Sequence, residues 1–131
     1  MKGLLLFFTL IIAAMLAFHA SLQNGAFIQF LDAHPDPRWV PATEYCVGEG
    51  YYLFQNLEQA ATYFIRIPER YPSSPYVDDA YWGYLQALDD MSDSSRTMLV
   101  DEYQKYVDQF PKGSHVQAAQ NKIDAYKNGR R

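Results

Sequence analysis

Five aspartates, Asp78, Asp79, Asp89, Asp90 and Asp93, fall between Arg70 and Arg96, a stretch with no lysine or arginine. General acid–base chemistry needs two carboxylates converging on one substrate. Asp89 and Asp90 are adjacent, and on a helix adjacent side chains point about 100° apart. A calcium loop needs a glycine and a distal glutamate, and Asp89-Asp90-Met91-Ser92-Asp93 has neither. His19 lies in an apolar N-terminal run, His34 among prolines and His115 at an expected helix start. No Ser–His, Cys–His or metal-spaced set is formed, and no phosphate loop. Cys46 is the one cysteine, so no disulfide closes within the chain. Its expected place is buried, as a small apolar side chain, with an intermolecular disulfide as the alternative in an oxidising compartment. These residues predict no enzyme, no cofactor and no bound metal. The acidic stretch reads first as a solvated face with a helix cap, and functionally as the complement of a basic partner.

The 131 residues hold at most one small domain after the N-terminal segment. A net charge of −4 argues against nucleic-acid binding, which needs a basic face to displace counterions. Aromatic content is 16%, with eleven tyrosines, a composition of helix-hairpin cores or aromatic contact surfaces.

Lys2 precedes an apolar run from Leu4 to Ala20, broken only by Thr9 and His19. This is the pattern of an export signal. The cleavage sites are poor: a cut after Ala20 puts Phe18 three residues before it, and a cut after Ala17 puts Met15 there. An uncleaved anchor is therefore favoured over a cleaved leader for residues 1–24. Its run of about 25 Å is at the short end of spanning length. Lys2 then stays cytoplasmic and the remainder lies outside. A cleaved leader would make the protein secreted.

Residues 25–40 read as a linker with a short helix, its stripe formed by Phe27, Ile28, Phe30 and Leu31. His34-Pro35-Asp36-Pro37 ends that helix. Five helices are then expected. The first runs from Pro41 to Gln55. The second is capped by Asn56 with Gln59 in capping-box position, and Pro68 is expected to kink or end it. Ser74-Pro75 should open the third helix, whose apolar face is Tyr81, Tyr84, Leu85 and Leu88. Asp89 to Ser95 reads as a polar loop. The fourth helix, about Arg96 to Phe110, turns Leu99, Tyr103, Tyr106, Val107 and Phe110 inward. Ser114 and Gln117 form a capping box for a polar fifth helix with Val116, Ala119, Ile123 and Tyr126 inward, and Gly129-Arg130-Arg131 is a tail.

The segment Tyr71-Pro72-Ser73-Ser74-Pro75-Tyr76-Val77 recurs as Phe110-Pro111-Lys112-Gly113-Ser114-His115-Val116, and both lead to an alanine, Ala80 and Ala119. Such internal similarity signals stacked helical hairpins. Gly48 and Ala60 would let two helices approach, with Val47, Tyr51 and Phe64 around the contact and Pro72 beyond the second helix. The set Gly48, Tyr51, Ala60, Phe64, Pro72 resembles the tetratricopeptide repeat, over residues 41–127. The second repeat has a longer loop and lacks the glycine and alanine signature. The stretch from Tyr71 to Ala80 is similar to repeats of bacterial envelope proteins, among them the outer-membrane assembly lipoprotein and the Tol–Pal coordinator.

The expected fold is all-α: about two such antiparallel hairpins and a capping helix after an N-terminal membrane or signal helix, with residues 128–131 as a tail. The resemblance implies export, helical hairpins and protein binding; with the N-terminal run as anchor, the expectation is a non-catalytic protein-binding scaffold in the periplasm, tethered to the inner membrane. In that family the first helix of each hairpin lines a concave face. On this chain that implies Tyr45, Glu49 and Tyr52 from one hairpin and Asp79, Trp82, Gln86 and Asp89 from the next, with Tyr52 opposite Trp82. The implied partner is a protein, with a basic surface favoured by the acidic residues; no nucleic acid is expected. The alternative function is a small structural accessory subunit of a larger membrane or extracellular assembly.

Overall fold

The computed structural model describes residues 2–91 and 94–129. Asp93 of the acidic stretch and Arg130-Arg131 of the tail lie outside them. All regular structure among the described residues is helical. The chain divides into two compact units, Met1–Asp36 and Pro37–Arg131.

The first unit holds α1 (Lys2–Gln23) and α2 (Ala26–Ala33). α1 is apolar over Gly3–Gln23, 21 residues, and its side chains are exposed from Gly3 through Ala20. At 1.5 Å per residue this is about 32 Å, enough to cross a bilayer. The apolar run from Leu4 to Ala20 underestimates the span because the helix continues through Ser21 and Gln23. Thr9 returns its hydroxyl hydrogen to the Leu5 carbonyl at 2.8 Å, which satisfies the one polar side chain in the middle of the run. Gly25, at φ 75°, supplies the left-handed residue that turns α1 into α2. Phe27 then meets Phe18 edge-on at 5.3 Å. Pro35 follows the C-cap residue His34, in keeping with the bias of proline against helix in the residue before it.

The second unit holds α3 (Val40–Leu53), α4 (Leu57–Arg70), α5 (Val77–Asp90), α6 (Arg96–Gln109) and α7 (Val116–Lys127). Each packs against its chain neighbour, most extensively at α4/α5, α3/α4 and α6/α7 and least at α5/α6. Asn56 caps α4 by accepting from the Gln59 N–H, and Ser95 caps α6 by accepting from the Met98 N–H. α3 ends at Leu53, two residues before the expected Gln55. There Gln55 takes φ 60°, while its N–H bonds the Tyr52 carbonyl and that of Asn56 bonds Tyr51. This paired bonding is a Schellman stop.

Pro68 does not end α4, which runs on to Arg70. The Tyr71 N–H reaches back to the Ile67 carbonyl at 2.8 Å and closes the last turn. The serines expected to open α5 and α7 do not cap them. Those helices begin at Val77 and Val116, after Tyr76 and His115. Ser74 instead accepts from the Tyr76 N–H, inside a turn. Asp89 and Asp90 belong to the last turn of α5 rather than to a loop.

The internal sequence repeat is a repeat of backbone. Ser74 N–H bonds the Tyr71 carbonyl at 2.8 Å, and Gly113 N–H bonds Phe110 at 2.8 Å. Val77 N–H bonds Ser74 at 3.2 Å, and Val116 N–H bonds Gly113 at 3.4 Å. The step from α4 to α5 is thus made again from α6 to α7.

Phe64 is the centre of the unit. Its ring lies between two glycines: a Cβ on Gly48 of α3 would sit 2.8 Å from one edge, and a Cβ on Gly83 of α5 2.9 Å from the other. Phe64 is wholly buried, with Ala60, Ala61, Ile67, Val77, Ala80 and Ala87 in the same cluster. The second hairpin therefore does carry a glycine of close approach, on the helix that follows Phe64. A second cluster joins Tyr81, Leu85, Leu99, Tyr103, Tyr106, Ala119 and Ile123. Periodicity alone did not indicate Glu44, which is wholly buried and accepts from Arg66 Nε at 2.8 Å. Cys46 is exposed, not buried. Glu44 and Gly48 both face inward, which puts Cys46, two residues from each, on the opposite side of α3.

Candidate functional site

α3 and α5 share a face. Tyr45, Glu49 and Tyr52 follow one another along α3 at spacings of four and three, one stripe of a helix. The Tyr45 ring packs on Phe64 of α4 at 5.7 Å and on Tyr76, the residue before α5, at 5.6 Å. Burial raises its hydroxyl pKa, as do the charges of Glu49 and then Asp79. Tyr52 donates to Asp90 Oδ2 at 2.5 Å, which bridges the two helices at the far end. That bond, with burial and the neighbouring carboxylates, pushes the Tyr52 hydroxyl up to about 12.

The seven implied residues differ in what they touch. Asp79, Gln86 and Asp90 are spaced by seven and four, and lie within about 40° of one another around α5. All three are exposed, beside the α3 stripe. Trp82 and Asp89 are also seven apart, but each is displaced by about 60° from the Asp79 stripe. They turn toward α6 and α7. The rings beside Trp82 are Tyr103, Tyr106 and His115, rather than the expected Tyr52. Its indole lies flat on His115, at 4.9 Å with 5° between planes. His115 in turn pairs through Nε2 with Asp79 Oδ1 at 3.0 Å, leaving the Asp79 side chain about half exposed. Trp82→Ala is therefore expected to cost about 2 kcal/mol of stability, less than a fully buried tryptophan because the ring is half-buried. A melting curve checks this, and a purely surface-exposed tryptophan would leave it unmoved.

Asp89 is a hub. It accepts from Tyr103 Oη at 2.9 Å, from Lys122 Nζ at 2.6 Å and from the Tyr126 hydroxyl. Asp78 is a second hub, accepting from Ser114 N at 2.8 Å, from Ser114 Oγ at 2.7 Å and from the Tyr106 hydroxyl. Burial pushes both carboxyls up, but the donors outweigh it and hold each below the usual carboxylate range. The acidic stretch is thus not only a solvated face: Asp78 and Asp89 pin the second hairpin and α7, and Asp79 and Asp90 remain on the shared face. Asp90, named in the acidic stretch but not among the seven residues of the implied face, joins the site. Its signal was the i, i+4 spacing to Gln86.

Among the described residues no three histidine, cysteine, aspartate or glutamate side chains gather to hold a metal ion. Comparison with protein-family models gives no match for the chain, and neither does comparison with curated proteins.

Proposed function

We propose that this protein is a non-catalytic interaction module of the tetratricopeptide kind, exposed in the bacterial envelope and tethered by α1, whose α3/α5 face docks a protein partner. The carrying observation is that face: Tyr45, Glu49 and Tyr52 beside exposed Asp79, Gln86 and Asp90, on two helices without a lysine or arginine. Tyrosines offer large rigid contact area and accept cations on their rings. The carboxylates favour a basic partner surface. Placing positive charge on the face by Glu49→Lys, at a half-buried position, with Gln86→Lys, at an exposed one, is expected to lower recovery of the partner about tenfold or more from a chain that still folds. Unchanged recovery by a folded variant contradicts the reading.

The second reading, an accessory subunit held mainly through its membrane helix, draws on the exposure of α1 along its length. Replacing α1 by an unrelated spanning helix separates the two. An interaction module keeps its partner, whereas a subunit docked through α1 loses it.

A further inference from the structure

Leu53 and Phe54 are 75% and 87% exposed, more than any large apolar side chain of α1. They sit at the turn between α3 and α4, where polar side chains are the norm. The turn is built rather than loose. Gln55 N–H bonds the Tyr52 carbonyl at 3.0 Å, Asn56 N–H bonds that of Tyr51 at 2.9 Å, and Asn56 caps α4. Gln55 accepts a left-handed φ of 60°, unfavourable for a side-chain-bearing residue. The stop therefore fixes an apolar pair at the tip of the hairpin.

What covers it must be apolar and need no positive charge from this protein. The nearest charged side chains along the chain are Glu49 and Glu58, and the first basic residue after the tip is Arg66. The tip segment itself therefore offers no positive charge to anionic headgroups. Sixteen residues, 24–39, separate the end of α1 from the start of α3, and eight of them form α2. Eight helical residues and eight extended ones reach about 40 Å at most. A bilayer holding α1 is thus always within reach of the second unit, at high effective concentration. Two side chains that would bind a free membrane weakly suffice under such a tether.

We infer that Leu53 and Phe54 insert into the interfacial layer of the bilayer that holds α1, so that the α3/α4 tip is a second, reversible membrane contact. This rests on the tethered reading above.

The test uses the full chain with Cys46→Ser in phosphatidylcholine vesicles. A spin label is placed at Leu53→Cys, at Thr62→Cys on exposed α4, or at Leu10→Cys in α1, and its collisions with oxygen and with a water-soluble nickel chelate are measured. The label at 53 is expected to meet nickel about threefold less than the label at 62 and to meet oxygen more. Adding Phe54→Ser should restore nickel access at 53. Anionic lipid and high salt should change neither value. Equal nickel access at 53 and 62, with position 10 shielded, overturns the inference while the tether stands. Nickel access at position 10 overturns the tether itself. A label at 53 shielded from oxygen as well as nickel marks a protein contact, a second copy included, and also overturns the inference.

Discussion

Phe64→Ala is expected to cost about 3–5 kcal/mol, a large share of the stability of so small a domain. The upper part of that range is expected because the cavity cannot collapse. Gly48 and Gly83 face the ring from two helices, and neither has a side chain to move into the space. The converse change is also costly. A methyl at Gly83 would meet Phe64 at 2.9 Å, and the ring cannot retreat because Gly48 lies at its other edge. Overpacking of this kind costs about 1–3 kcal/mol. Urea unfolding of both variants checks the clamp. A Phe64→Ala loss below about 1 kcal/mol would mean that α3, α4 and α5 do not converge on this ring.

Asp89→Ala is expected to cost about 2 kcal/mol, because it leaves the buried Tyr103 hydroxyl and that of Tyr126 without their acceptor at the junction of α5, α6 and α7, while exposed Lys122 returns to water. The pH dependence has a definite sign. Asp78 and Asp89 both have folded pKa values below their unfolded ones. Their stabilisation is complete above the ordinary carboxylate range near pH 4, and is lost as pH falls from there through the lowered folded values. The wild-type chain should lose stability steeply on that acid limb. Asp78→Asn with Asp89→Asn should be less stable at neutral pH and show a flatter acid limb. Parallel limbs for variant and wild type would remove these two hubs as the acid-sensitive groups.

The helices were legible where local chemistry decides. Asn56 and the periodic stripe of Ala60, Ala61 and Phe64 define α4, and the Tyr71 and Phe110 segments announce the repeated turn. Long-range pairing escaped local reading. Nothing near Asp89 in sequence points to Lys122, and nothing near Gly83 points to Phe64. Serine at 74 and 114 looks like a cap, yet two residues follow Ser74 and one follows Ser114 before helix begins, and Ser114 is taken by Asp78. The candidate face was legible as two helix stripes. The split between Gln86 and Trp82 was not, because they are only about 40° apart around α5 and the division is decided by which neighbour, α3 or α6 and α7, lies on each side. Glu44 and Cys46 show the same limit: two residues apart on α3, the charged one is buried against Arg66 and the thiol is outside.

The most direct measurement of the proposed docking face is site-specific photo-crosslinking of the full chain in intact cells. A photoreactive side chain is introduced at Glu49 or Gln86 on the α3/α5 face, or at Glu58 or Thr62 on the exposed side of α4. The predicted result is one discrete protein adduct from positions 49 and 86 and none from 58 and 62. Adducts of equal yield from all four positions, or only from 58 and 62, would contradict an interaction module that docks its partner on the α3/α5 face.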